Sequence, residues 1–145
     1  MKCIPVEKDW GDINRCQELK YAYMHFHGKS MDESYVRFRA NVIEAVSELR
    51  AMPEIPFRYY MLSFNQFIEE KEYDELDAAD TAHCYLRAIE LKLENEPNVI
   101  EPIMNQLYET LMHVADNQAA FDAPINIYGS FEKRVEKIKL IWKAI

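Results

Sequence analysis

Apolar residues recur along this chain at the three- and four-residue spacing of helix faces. Ile13, Cys16, Leu19, Tyr23 and Phe26 form the first stripe. Asp12 is placed to cap its start and Gly28 to stop it. Ser30 followed by Glu33 has the spacing of a capping box. It opens a second helix with the stripe Tyr35, Phe38, Val42, Val46, Leu49 and Met52, ended by Pro53. Pro56 suits the first turn of a third helix, where its missing N–H costs nothing. The stripe of that helix is Phe57, Tyr60, Met61, Phe64, Phe67 and Ile68. Ala79, Ala82, Leu86, Ile89 and Leu93 mark a fourth, which stops before Pro97. Joining the third and fourth stripes into one rod would bury Lys71 and Glu75, and a lone buried charge is expensive. A break is therefore expected between Glu72 and Asp77.

Ile100, Ile103, Met104, Leu107, Leu111 and Val114 give a fifth helix with Pro102 in its first turn. Ser130 caps a last one, with Phe131, Val135, Ile138, Trp142 and Ile145 inward and a largely basic outer face of Lys133, Arg134, Lys137, Lys139 and Lys143. The intervening stretch, Ala115 to Gly129, lacks helical periodicity. Ile125 to Tyr128 alternates like a short strand, and Ile4 and Val6 are its candidate partners. The expected fold is all-α: a compact bundle of about six helices in one domain spanning residues 1–145, with one minor two-stranded β element. Only three glycines in 145 residues leave little material for the tight turns of a β-sandwich, which agrees. Tyr85 to Pro97 resembles the second half of a tetratricopeptide repeat, but no partner repeat stands at the expected period, so no repeat array is expected.

Charge changes the picture more than composition does. The twelve residues from Glu69 to Asp80, EEKEYDELDAAD, hold seven carboxylates and one lysine, a net −6 out of the chain's −8. A local field of that sign attracts basic partners and disfavours direct contact with nucleic acid, whose phosphates need Lys and Arg opposite them. Asp74 or Asp77 can cap the fourth helix, and Glu75, Asp77 and Asp80 suit its positive end. Glu69, Glu70 and Glu72 stand instead at the C-terminal end of the third helix, where a carboxylate is mildly unfavourable. Tyr73 lies among them. Tyr59 falls off the inward stripe of the third helix, beside Arg58, and both are expected on the surface next to the acidic segment. Tyrosine and arginine are favoured at binding hot spots. The candidate partner-binding set is thus Glu69, Glu70, Glu72, Tyr73, Asp74, Glu75, Asp77 and Tyr59.

Other chemistry finds less footing. Asp80 and His83 are one helical turn apart, as are His113 and Asp116, while Glu109 and His113 are four residues apart. The sequence nevertheless lacks the two E-x-x-H motifs of a di-iron bundle and the H-E-x-x-H zinc motif. No metal or cofactor is expected. His25 and His27 flank Phe26 at the end of the first helix, where the dipole favours them with or without a function. No nucleophile motif, phosphate loop or dinucleotide fingerprint occurs, so catalysis is not expected. Cys3, Cys16 and Cys84 form no C-x-x-C pair and fit a reducing compartment as small buried hydrophobes. The opening MKCIPVEKDW has no apolar signal-peptide core, and no run approaches 18 apolar residues; the expected location is the cytoplasm.

The functional expectation is a cytoplasmic module that binds and neutralises or regulates a basic protein, such as a toxin or nuclease, in the manner of immunity proteins and antitoxins. That is a likeness of profile (small, acidic, without catalytic motifs) and not of motif. Two alternatives stand beside it. One is a metal- or ligand-binding bundle, with enzymatic activity, whose site is lined by His83, His113 and nearby carboxylates; the other is a self-associating adaptor whose acidic segment meets the basic last helix of a second copy.

Overall fold

The computed structural model describes residues 3–145 and is all-α across them. The α-helical segments are α1 (Gln17–Phe26), α2 (Met31–Ala40), α3 (Val42–Ala51), α4 (Glu54–Glu69), α5 (Ala78–Asn95), α6 (Pro97–Ile100), α7 (Met104–Asp116), α8 (Ile125–Tyr128) and α9 (Phe131–Lys143). Short 3-10 turns cover Glu7–Trp10, Ile13–Arg15, Glu75–Asp77, Glu101–Ile103 and Gln118–Phe121. No strand occurs among the described residues. The expected β element is therefore corrected: Ile125–Tyr128 is a single helical turn, and Ile4 and Val6 are exposed in extended chain. The four-residue alternation that suggested a strand is equally one turn with two outward isoleucines.

The long second helix of the sequence reading is two helices. Asn41 takes an extended conformation (φ −164°, ψ 93°) and breaks the chain between α2 and α3. Its side chain accepts the N–H of Glu44 at 3.1 Å, offsetting a backbone bond lost at the elbow. Across that elbow, Arg37 of α2 donates to buried Glu48 of α3 at 2.6 and 3.2 Å, and His25 of α1 closes on the same carboxylate at 3.0 Å. The capping box at Ser30 forms as expected, with Glu33 N–H donating to Ser30 Oγ and Ser30 N–H to the Glu33 carboxylate. Asp12 caps the 3-10 turn at Ile13–Arg15 and not α1.

α4 is the axis of the fold. It packs against α2, α3, α5, α6 and α7. A helix with that many neighbours keeps little wet face: Glu54, Ile55 and Glu69 are exposed and Arg58 and Gln66 half-buried, while Tyr59, Leu62, Ser63 and Asn65 are buried along with the expected stripe. α9 closes the bundle over α5 and α7, with Arg134 and Lys137 reaching Glu90 on α5. Part of its basic face is thus tied to the bundle, and Ile145, expected inward, is 55% exposed. Trp10, in the N-terminal arm, is only 1% exposed and meets Tyr23 edge-on at 5.4 Å. Of the three cysteines only Cys84 is buried; Cys3 and Cys16 are exposed. No helix among the described residues is long and apolar enough to cross a membrane.

Candidate partner-binding site

The acidic segment begins where α4 ends, and the break falls in the expected place. Lys71 adopts a left-handed conformation (φ 55°), its N–H donating to the carbonyl of Ile68 and that of Glu72 to the carbonyl of Phe67. That pair of bonds is a Schellman stop built on lysine where glycine is usual. Tyr73 then turns inward and packs on Phe67 and on Phe121, with ring centroids 6.3 and 5.9 Å away. Burial raises the pKa of its phenol. A 3-10 turn from Glu75 to Asp77, closed by Asp77 N–H donating to the Asp74 carbonyl at 2.9 Å, leads into α5.

The structure divides the predicted carboxylates into two groups. Glu69 accepts from Asn65 Nδ2 at 2.6 Å and from Thr110 Oγ1 at 2.9 Å. Asn65 in turn accepts from the hydroxyl of fully buried Tyr85. Glu70 accepts from the Tyr35 hydroxyl at 3.2 Å; burial first, then the Glu70 charge, pushes that phenol far up. Glu72 is clamped by Arg39, which donates to its carbonyl and to its carboxylate, both at 2.9 Å. These three tie the end of α4 to α2 and α7. They have the structural partners that the sequence could not display.

Asp74, Glu75 and Asp77 form the second group. Neither Asp74 nor Asp77 makes a side-chain capping bond, although each precedes a helical turn. Asp74 and Glu75 are exposed and Asp77 is half-buried. Between them sits Leu76, 98% exposed. Sequence reasoning overlooked it because it belongs to no stripe; an apolar side chain flanked by carboxylates on both sides was the available signal. Tyr59 is corrected outright. It is 8% exposed and packs edge-on against Tyr60 at 4.9 Å, so it belongs to the core and not to a surface. Arg58 is held by Glu54 and by the carbonyls of Asn98 and Val99.

The two histidines of the alternative metal- or ligand-binding reading have separate partners. His83 faces the Arg134 guanidinium at 3.1 Å and the Tyr128 ring; burial first, then Arg134 and Arg87, lowers its pKa. His113 is held by Asn117 on the same helix. Among the described residues no three His, Cys, Asp or Glu side chains are grouped to hold a metal ion. Comparison with protein-family models, with curated proteins and with solved structures finds no match for this chain.

Proposed function

We propose that this chain is a cytoplasmic protein-binding module that docks a basic partner through the loop from Asp74 to Asp77, neutralising or regulating it as immunity proteins and antitoxins do their toxins. The observation that carries this reading is Leu76, almost wholly exposed at the crest of a turn flanked by carboxylates with no capping role. A lone exposed leucine needs no explanation. One on a loop whose base is held by a Schellman stop, an arginine clamp and a half-buried tyrosine does invite one, because its exposure is built into the turn. Acidic groups around an apolar centre steer a basic protein into contact, and burial of the apolar centre then adds to holding it.

The test is binding to a basic protein captured from the native cell. Binding should weaken steeply with salt, fall with Leu76→Ser, and fall further with Asp74→Lys and Glu75→Lys, while Glu101→Lys on the exposed face elsewhere leaves it intact. Tight binding that survives charge reversal at Asp74, Glu75 and Asp77 would show the mechanism to be wrong.

A further inference from the structure

Behind Leu76 the loop walls a cleft of about 500 Å³ against the 3-10 turn that follows α7. Tyr73, Phe121 and His113 line it, with centroid spacings of 5.9 Å from Phe121 to each of the other two. Phe121 is 2% exposed and forms the floor. Asn117 donates to His113 Nδ1 at 3.2 Å and to its carbonyl at 2.8 Å, fixing the imidazole wall. Glu75 and Asp122 are among the residues that line it. Lys71 and Asp122 are the two non-glycine residues with positive φ among the described residues, and both line this cleft. At both positions the chain is bent against the preference of an L-residue.

We propose that this cleft receives an arginine side chain of the basic partner, its guanidinium stacked on Tyr73 over Phe121 and its charge met by Glu75 and Asp122. This deepens the preceding reading and rests on it. Arginine fits better than lysine for a physical reason. A guanidinium is planar and weakly hydrated, stacks on aromatic faces, and presents a fork of donors to carboxylates; an ammonium is a compact, strongly hydrated point. Two carboxylates against the single ammonium of Lys71 leave the opening net negative.

Hexa-arginine and hexa-lysine peptides, titrated by calorimetry and NMR into the full chain at low salt, separate the possibilities. Hexa-arginine should bind about fivefold more tightly than hexa-lysine and move the ring resonances of Tyr73, Phe121 and His113. Tyr73→Leu, which keeps apolar packing on Phe67, should erase that preference. Asp122→Asn should weaken hexa-arginine more than hexa-lysine; asparagine tolerates the left-handed backbone, so this variant keeps the test valid should Tyr73→Leu unfold the chain. Equal affinities with shifts confined to the amides of residues 74–77 overturn the arginine slot and leave the basic-partner reading standing. Failure of both peptides to bind overturns the two together.

Discussion

Removing the carboxylates in two sets tests whether the acidic segment is divided as described. In the first variant Glu69, Glu70 and Glu72 become alanine. Loss of Glu69 leaves the Thr110 hydroxyl and the Asn65 amide, both in nearly buried residues, short of an acceptor, which costs about 1–3 kcal/mol. Loss of Glu70 removes one part-buried hydrogen bond, about 1 kcal/mol. The Arg39–Glu72 pair has both side chains more than a third exposed, so screening limits it to about 0.2–1 kcal/mol. Together the set should cost about 2–5 kcal/mol, lowering Tm by roughly 5–20 °C for a chain of this size. In the second variant Asp74, Glu75 and Asp77 become Asn, Gln and Asn. With no side-chain cap to lose, only the weak dipole interaction with α5 opposes the relief of mutual repulsion, and the net change should stay within about 0.5 kcal/mol. Urea unfolding monitored by circular dichroism measures both. A loss above about 2 kcal/mol in the second variant would refute the division: those carboxylates would then be holding the fold, and their availability to a partner would have no basis.

Other outcomes follow from single positions. Lys71→Gly and Lys71→Ala remove the same charge, but glycine accepts the left-handed backbone, so it should be the more stable by about 1 kcal/mol in the same unfolding assay. His83 has its pKa lowered in the fold from the ordinary 6.5. Below that value the unfolded chain binds a proton the folded one resists, so stability should fall as pH drops through 6.5 toward the folded value, and His83→Gln should flatten that limb of the urea-midpoint profile. With a thiol reagent at neutral pH, Cys3 and Cys16 should react quickly and Cys84, its pKa pushed up to about 11 by burial, only on unfolding. Three equal rates would contradict that burial.

The helical class, the capping box at Ser30 and the break after Glu72 were legible because each depends on neighbours within a turn or two. Asn41 was legible in principle: Asn followed three residues later by Glu repeats the logic of Ser30 and Glu33, but the apolar stripe runs on through it and hides the elbow. Tyr59 was misplaced because periodicity assumes that half a helix is wet, and five neighbouring helices narrow the wet side of α4 to its ends and to half-buried Arg58 and Gln66. The partners of Glu69, Glu70 and Glu72 lie on α2, α4 and α7; of these only Asn65, four residues before Glu69, is close enough in sequence to be guessed. Trp10 gave no periodic signal, since it reaches the core from an arm with a single turn of 3-10 helix.

The stiffness of the loop decides how Leu76 should be understood. On a mobile segment its exposure would be a time average, and docking would have to order the chain as well as bury the side chain, at about 0.5–1.5 kcal/mol for each immobilised side chain. Here the ordering is already done. The Schellman bonds fix the exit from α4, Arg39 holds Glu72 from α2, and Tyr73 is wedged between Phe67 and Phe121. Burying Leu76 in a partner would return about 1.5–3 kcal/mol, with little of it spent on restraint. The three inner carboxylates are therefore not rivals to the proposed binding role. By anchoring the base of the loop to α2 and α7 they restrain the outer three, and the leucine among them, toward the arrangement a partner would meet.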